Sequence, residues 1–412
     1  MFVNTRLLMR AFTATVSGCL LWTSGLGALY AEAAEEACVP PISYLPLDGK
    51  MVGVDTNGVP ALGTYERISP DGRFILRSYS GAQWGRVSLM ELPPTGTGPV
   101  KTYRTPFDNE AFPVQGTWRY LVDVNGEHYR FADVLRQQAQ AKPAFKGGMT
   151  GFYAAASELT QSSDLLTAGE KTQTVFVRSL SWPQSANPDQ QGVGPLQVAT
   201  LQVRDDGRRA QVMSTDGPQF ICSGRSAIDG DVYALPMISI DGTEFSAIPQ
   251  VPRQGRPSMR VYGLGQAVSG PAPCDARADL GFSPGKAVFG YVREGDKTPP
   301  WLTYSDLGSV YVYDRALSAT FKLAHGRYRV LTSAFPGLTR DGRVIYGATW
   351  RDCAEASTCP EQAGYVVADP YQSADYRNYW LRRGQPAPKM CITQHDVMAE
   401  RARFARMHRL PD

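Results

Sequence analysis

A short turn motif that recurs ahead of apolar runs constrains the fold of this 412-residue chain more than any other feature. Three copies contain an Asp-Gly pair, at Asp71-Gly72, Asp241-Gly242 and Asp341-Gly342, and a fourth has Gly285 without the aspartate. Because aspartate bonds to the backbone of its own turn and glycine adopts positive φ at little cost, each copy predicts a tight turn that leads into a strand. A second apolar strand follows three of the copies, so the unit is a repeated β-hairpin.

The repeat also carries a family resemblance. The first copy reads Ser-Pro-Asp-Gly-Arg at 69–73, and the strand that follows the copy at Gly285 reads Ser-Val-Tyr-Val-Tyr-Asp at 309–314. This pattern resembles the PD40 repeat, the WD40-like repeat of TolB-type β-propellers. The resemblance implies that each hairpin supplies the middle strands of one four-stranded blade, and that the turn residues are structural. The matching stretches are 65–93, 236–264, 280–315 and 335–370.

The spacing of the turns predicts a fold class and a blade number. We expect an all-β chain that forms a single β-propeller of four-stranded antiparallel sheets. The interval from Asp241 to Asp341 holds two repeats of about 50 residues each. The longer interval from Asp71 to Asp241 fits either four repeats of about 42 residues or three of about 57. Apolar runs at 117–124, 151–156 and 196–203 favour four, so seven blades are favoured and six are the alternative.

The N-terminus has the pattern of an export signal at residues 1–33. Two arginines precede an uncharged, largely apolar stretch at 11–30, and an Ala-Glu-Ala cleavage site ends at Ala33. We therefore expect a mature chain that begins near Ala34 and is periplasmic or secreted. Two alternatives stay open, which are lipidation at Cys19 and a retained anchor helix. Membrane association is expected only if this segment is retained.

Six cysteines remain after cleavage, and an even number in an exported chain predicts disulfides. The preferred pairing is Cys353–Cys359, because a short polar loop separates the two residues. A Cys38–Cys391 bond would tie the two ends of the fold together, and Cys222–Cys274 would be the remaining pair. No Cys-x-x-Cys motif is present, so neither a zinc site nor a haem site is predicted.

Outside the signal, the sequence divides into an N-terminal extension at 34–60, the propeller at 61–375 and a C-terminal extension at 376–412. The last extension contains a predicted helix at 393–410, which Thr393 and Asp396 can cap. The helix is basic, and one interpretation is that it docks an acidic partner or a membrane surface. The other is that it packs on the propeller and exposes its arginines to solvent. The residues concerned are Arg401, Arg403, Arg406 and Arg409.

No motif in the chain identifies a reaction. The sequence lacks a Gly-x-Ser-x-Gly elbow and a phosphate-binding loop, and its four histidines do not share metal-binding spacing. No catalytic residue, cofactor or metal site is predicted, and a net charge of +3 gives no case for a nucleic-acid partner. The leading hypothesis is a non-enzymatic module that binds another protein of the cell envelope. The alternative is a hydrolase, a lyase or a carbohydrate-binding protein with its site at the mouth of the central channel.

Overall fold

The computed structural model describes most of the repeat region and both C-terminal helices. The predicted signal segment and several internal segments lie outside the described residues. The described ranges are 37–47, 53–54, 60–61, 65–78, 87–93, 99–108, 111–114, 116–123, 125–146, 161–166, 173–181, 196–222, 233–239, 244–249, 260–263, 276–279, 286–289, 302–306, 309–314, 317–323, 331–332, 336–350, 362–386 and 391–410.

The first half of the chain forms three four-stranded antiparallel sheets, numbered in chain order. They follow three short N-terminal strands, β1 (Ile42–Pro46), β2 (Gly53–Val54) and β3 (Pro60–Ala61). Sheet 1 contains β4 (Tyr65–Ile68), β5 (Phe74–Ser78), β6 (Ser88–Glu91) and β7 (Lys101–Arg104). Sheet 2 contains β8 (Ala111–Pro113), β9 (Tyr120–Asp123), β10 (Glu127–Arg130) and β11 (Phe145–Lys146). Sheet 3 contains β12 (Gln161–Leu166), β13 (Gln173–Ser181), β14 (Leu196–Asp205) and β15 (Ala210–Cys222).

Three further antiparallel sheets follow in the second half. Sheet 4 contains β16 (Tyr233–Ile238), β17 (Glu244–Pro249), β18 (Arg260–Gly263) and β19 (Ala276–Asp279). Sheet 5 contains β20 (Lys286–Phe289), β21 (Leu302–Asp306), β22 (Ser309–Asp314) and β23 (Ala319–Leu323). Sheet 6 contains β24 (Leu331–Thr332), β25 (Gly337–Leu338), β26 (Val344–Trp350) and β27 (Gln362–Ala368), together with β1.

Within the described ranges, three α-helices accompany the sheets. Helix α1 (Phe131–Gln137) lies within sheet 2 between β10 and β11 and continues as a 3-10 turn. A second 3-10 turn, Pro370–Gln372, leads from sheet 6 into α2 (Ala374–Leu381). Helix α3 (Gln394–His408) begins with the predicted capping box of Thr393 and Asp396. Among the described residues, no helix has the length and apolar character needed to cross a membrane.

The sheets follow one another in a closed succession. Each sheet contacts the next sheet along the chain, mostly through the strand that comes first in each sheet's sequence. The last sheet returns to the first, because β25 of sheet 6 contacts β4 of sheet 1. Sheets 1 to 5 have four strands each, and sheet 6 has five, of which β24 and β25 both pair with β26. A closed succession of such small antiparallel sheets is the arrangement of a β-propeller, and the predicted all-β class is confirmed.

The described residues hold six such sheets, whereas the spacing of the repeats favoured seven units. The difference lies in sheet 3. Its strands β13, β14 and β15 are 9, 10 and 13 residues long, so this one sheet uses the chain length that the spacing had assigned to two units. The apolar run at 196–203 lies inside β14 and does not open a unit of its own.

Strand β1 closes the succession, because it pairs antiparallel with β27 as the outermost strand of sheet 6. The pairing runs from Ile42 opposite Ala368 to Pro46 opposite Gly364. The two backbones approach so closely that a Cβ atom on Gly364 would lie 2.1 Å from the carbonyl oxygen of Leu45. Only glycine fits at this position, and a strand from the start of the domain thereby completes a sheet from its end.

The contact between sheet 1 and sheet 6, here called the closure seam, combines an apolar cluster with specific polar bonds. The Tyr365 hydroxyl donates to Glu66 Oε1 at 2.8 Å, and Arg343 Nη2 donates to the carbonyl oxygen of Asp71 at 2.9 Å. All these groups are buried, where a satisfied hydrogen bond is strong and a broken one is costly. The apolar cluster contains Leu45, Leu47, Ile68, Ile75, Met90, Leu92, Ile345, Ala363 and Tyr365.

Two of the repeat turns meet at this seam. In the first, Asp71 Oδ1 accepts hydrogen bonds from Ser69 Oγ at 2.5 Å and from Arg73 N at 3.0 Å. The turn of sheet 6 has the same geometry around Asp341, which accepts from the Thr339 hydroxyl and from the backbone N–H of Arg343. Gly72 and Gly342 have φ of 68° and 100°, in the region that favours glycine. Asp241, Gly242 and Gly285 lie outside the described residues.

The predicted Cys38–Cys391 disulfide is confirmed, with its Cα atoms 5.7 Å apart. It joins the segment before β1 to the segment before α3. Two backbone hydrogen bonds support the junction, from Val39 N to the oxygen of Ile392 at 2.8 Å and from Gln394 N to the oxygen of Ala37 at 3.1 Å. The other predicted pairs lie wholly or partly outside the described residues, since Cys274, Cys353 and Cys359 are not described.

Gly72 provides a test of the closure seam. A Cβ atom there would lie 2.9 Å from Ile345 Cδ1 and 3.0 Å from Thr339 Cγ2, both in sheet 6. Gly384 also has φ of 68° but has no atom within 4 Å of the same position, so it is a matched control. We expect Gly384→Ala to lower the free energy of unfolding by about 1 kcal/mol through backbone strain. Gly72→Ala should cost about 2 kcal/mol more, because it also overpacks the seam.

Denaturant unfolding of the two variants and the unsubstituted chain measures this difference. Equal losses for Gly72→Ala and Gly384→Ala would contradict a tight contact between the two turns.

Candidate functional site: the C-terminal helices

Helix α3 packs inward against sheets 1 and 2. The ring of Phe404, which is fully buried, has its centroid 6.0 Å from the ring of Phe74 and 5.7 Å from that of Phe131. One turn later His408 Nε2 lies 2.8 Å from the carbonyl oxygen of Thr117. Burial lowers the pKa of His408 to about 4, so this histidine is neutral at physiological pH. The inward face of α3 is therefore structural.

The four arginines of α3 do not share one exposed face. Arg401 is 8% exposed and its Nη2 donates to the carbonyl oxygen of Pro93 at 3.4 Å. Arg409 is at the left-handed C-cap, with its guanidinium 3.2–3.4 Å from a Cβ position on Gly207 of sheet 3. The expectation that Arg401 belongs to an exposed docking surface is corrected by its burial. A partner-binding role for Arg403, Arg406 and Arg409 stays a prediction.

A cluster of charges lies where α3 covers the closure seam. Arg343 forms a buried ion pair with Asp341 at 2.7 Å. Glu400 of α3 lies 3.9 Å from Arg340 Nε and 3.5 Å from Arg403 Nη1. Burial raises the pKa of the Glu400 carboxyl to about 7 and outweighs the opposing effect of these two arginines. The packing of α3 on the closure seam therefore depends on whether the Glu400 carboxyl is protonated, which changes near neutral pH.

Asp205, at the end of β14, holds sheet 3 to sheet 2. Its carboxylate accepts hydrogen bonds from Arg130 Nη2 at 3.2 Å, from Arg119 Nε at 3.1 Å and from the hydroxyl of Tyr120. Burial acts to raise the pKa of Asp205, but these hydrogen bonds and charges lower it overall. With both oxygens engaged by the protein, this carboxylate acts as a bridge between sheets rather than as a free acid or base.

Helix α2 was not anticipated from the sequence. Ser373 caps its N-terminus by accepting from Tyr376 N, and Asp375 accepts from the backbone N–H of Lys322 in β23 at 3.0 Å. The rings of Tyr376 and Tyr379 contact the Phe321 ring at centroid distances of 5.2 and 5.4 Å. Aromatic contacts and hydrogen bonds of this kind hold the helix in one orientation on sheet 5.

The other side of α2 combines an exposed apolar side chain with positive charge. Leu381 is 65% exposed, the largest exposure among the large apolar side chains of the described residues. Arg383 lies over the ring of Tyr379, with Cζ 3.6 Å from the centroid, a cation–π contact. We call this set the α2 surface. Its members are Arg377 and Leu381 on the helix and Arg382 and Arg383 just after its end.

The run Tyr-Trp-Leu-Arg-Arg at 379–383 is the sequence signal for this surface. Sequence reasoning missed it because the run is short and follows the end of the repeat without a turn motif. Within the described part of the chain, no three side chains of His, Cys, Asp or Glu converge in a way that could hold a metal ion.

Comparison with known proteins gives no functional assignment. No protein-family profile matches the chain, and no curated protein matches it. Membership of the PD40 family therefore stays a resemblance.

Several solved structures are similar at low identity. An α-L-arabinofuranosidase of Fusarium graminearum in complex with arabinobiose is 10% identical, over 79% of this chain and 97% of that one, with a TM-score of 0.36. The β-propeller domain of the trilobed protease from Pyrococcus furiosus is 12% identical over 73% and 80%, with a TM-score of 0.30. TolB from Acinetobacter baumannii is 12% identical over 79% and 62%, with a TM-score of 0.29. These scores carry no argument about activity, and the fold stands on the sheets and their register.

The pKa of Glu400 predicts how the stability of the chain depends on pH. A carboxyl whose pKa is raised from 4.5 to about 7 favours folding below pH 4.5, and its contribution is lost as the pH rises through 7. Glu400→Gln cannot titrate. We therefore expect the free energy of unfolding of the unsubstituted chain to fall relative to that of Glu400→Gln between pH 4.5 and pH 8. Urea unfolding at several pH values measures this, and a relative rise over the same range would contradict it.

Proposed function

We propose that this protein is an exported, six-bladed β-propeller of the PD40 type that acts as a protein-interaction module of the cell envelope. The six sheets in closed succession and the repeat turns support the blade number and type. The apolar N-terminal segment supports export. The Cys38–Cys391 disulfide fits an oxidising compartment such as the periplasm.

The α2 surface is the docking site in this proposal, and its occupant is an acidic segment of an envelope protein. The observation that carries the proposal is Leu381, which is 65% exposed at the end of a helix fixed to sheet 5 and is followed directly by the exposed Arg382 and Arg383. Arginine is enriched in the energetic centres of interfaces, and the fully buried core of an interface is more apolar than the rest of a protein surface. A rigid helix loses little conformational freedom on binding, which preserves affinity. Exposed arginines also steer an acidic partner toward the site.

A protein fits this surface better than a membrane does. An interfacial membrane helix needs a continuous apolar face that enters the lipid. On α2 the aromatic rings of Tyr376 and Tyr379 face Phe321 of the protein itself, and Leu381 alone presents a large, exposed apolar side chain. One apolar anchor among arginines suits a pocket on an acidic protein.

The alternative of an enzyme or carbohydrate-binding protein with a site at the channel mouth stays a hypothesis. No feature of the described residues favours it.

A matched pair of charge reversals tests the docking site. Arg382→Glu/Arg383→Glu reverses two adjacent exposed arginines just after the end of α2, and Arg208→Glu/Arg209→Glu does the same on the turn between β14 and β15. We expect the first double variant to reduce the amount of partner captured from a periplasmic extract at least tenfold, because it repels an acidic segment. The control should capture as much partner as the unsubstituted chain. Thermal unfolding should be alike for all three.

The other outcomes contradict the proposal. If both double variants lose capture equally, the effect is one of net charge and the α2 surface is not the docking site. If neither loses capture, the partner binds elsewhere. If α2-dependent binding is seen only with vesicles of anionic phospholipid, then the occupant is a membrane surface.

A further inference from the structure

A small cleft opens beside the closure seam, under helix α3. It has a volume of about 60 Å³ and is bounded by the N-terminal segment, β1, sheet 6 and α3. Its walls combine apolar and polar surface, with Ile345 and Val397 both buried, and Ser43 stands half-buried on the side of β1. Two arginines, Arg343 and Arg401, also line it. Buried cationic side chains in an apolar cleft distinguish it from an ordinary packing defect.

Arg401 is incompletely bonded within this cleft. The side chain is more than nine-tenths buried, and its one hydrogen bond is the long contact from Nη2 to the oxygen of Pro93, at 3.4 Å. The Nε atom is buried and has no hydrogen-bond partner in the described part of the protein. A buried guanidinium that lacks an acceptor is costly, so this side chain is arranged for a group that the folded chain does not itself supply.

The neighbouring charged side chains that the structure describes form no hydrogen bond with the Arg401 guanidinium. Arg343 is already bonded to both oxygens of Asp341 and to the carbonyl oxygen of Asp71, so it forms a wall of the cleft and not a second free donor. Arg73 pairs with Glu91, at 2.6 Å. Glu400 lies near Arg340 and Arg403. Asp71 and Arg401 attract each other through their charges, but no hydrogen bond or salt bridge joins these two described residues.

Asp71 lies next to Gly72, which lines the cleft. Its Oδ1 accepts two hydrogen bonds, whereas its Oδ2 is buried without one. Burial raises the pKa of Asp71, although hydrogen bonds from Ser69 and Arg73 and the charge of Arg401 act to lower it. Burial also lowers the pKa of Arg401, but only to about 10, so the guanidinium keeps its charge at neutral pH. The polar end of the cleft therefore holds a charged guanidinium whose buried Nε lacks an acceptor in the described part of the chain.

From this geometry we infer that the cleft binds a carboxylate group carried on a short apolar stem. The carboxylate accepts from Arg401, whose planar fork suits bidentate recognition. The stem packs between Ile345 and Val397. The small volume restricts the stem to a few carbon atoms, so the ligand is either a small free acid or the carboxylate end of a peptide. This site is separate from the α2 surface and does not depend on the proposed docking function.

Titration calorimetry of the purified full-length chain at pH 7 and constant ionic strength tests the inference. The probes are propionate and its uncharged isostere propionamide. We expect saturable binding of propionate, at least tenfold tighter than that of propionamide. Arg401→Gln should abolish the preference for the acid, and Arg406→Gln, which changes an exposed arginine of the same helix, should leave it unchanged. Ser43→Met should weaken binding at least tenfold, because the longer side chain fills the cleft from the half-exposed strand β1.

Each result has a defined meaning. The inference is overturned if propionate and propionamide bind equally well. It is also overturned if neither propionate nor a short peptide with a free C-terminus binds saturably, because the cleft then holds only water. Equal effects of Arg401→Gln and Arg406→Gln also overturn it. If Arg401→Gln does not fold, then Ser43→Met decides, since unchanged binding in that variant places the acid elsewhere. A short peptide with a free C-terminus and its amidated form distinguish a small free acid from the carboxylate end of a peptide. If the ligand is a peptide end, the free peptide binds and the amidated peptide does not.

Discussion

The pairing of β1 with β27 is the constraint on which the rest of the structure depends. Each small sheet must bury both faces against its neighbours, and a succession of sheets leaves two open faces until its ends meet. Here one strand from the start of the domain completes the last sheet, and the turns at Asp71 and Asp341 interlock beside it through Arg343. The Cys38–Cys391 bond then ties the segments that flank this junction.

The same junction positions both candidate binding surfaces. Helix α3 crosses it and places Arg401 at the end of the small cleft, while the 3-10 turn at Pro370–Gln372 leads directly from β27 into α2. Asp369 organises this turn, because it accepts from Gln372 Nε2 and from the backbone N–H of Ile392 at 2.8 and 2.9 Å. The C-terminal segment therefore both stabilises the closure and presents the side chains that a ligand or partner would contact.

Local chemistry was predictable from the sequence, whereas among the contacts between distant segments only the Cys38–Cys391 bond was proposed, as one of several pairings. The turns at Asp71 and Asp341 and the capping box of α3 each depend on residues within a few positions of one another. The burial of Arg401 depends on Pro93, which is 308 residues away, and no local pattern reports such a contact. The described residues hold six sheets where the spacing favoured seven units, and three strands of sheet 3 are longer than any strand of the other sheets. The even cysteine count allowed many pairings, and only geometry selects Cys38 with Cys391.

Hydrogen exchange of the native protein tests the closure most directly. If β1 is an integral strand of sheet 6, the backbone amides of β1 that bond to β27 open together with those between β26 and β27. Their opening free energies should then agree and should approach that of global unfolding. If the amides of Ile42–Pro46 exchanged as fast as those of exposed loops while β26 and β27 stayed protected, the strand would not close the domain and the account would be wrong.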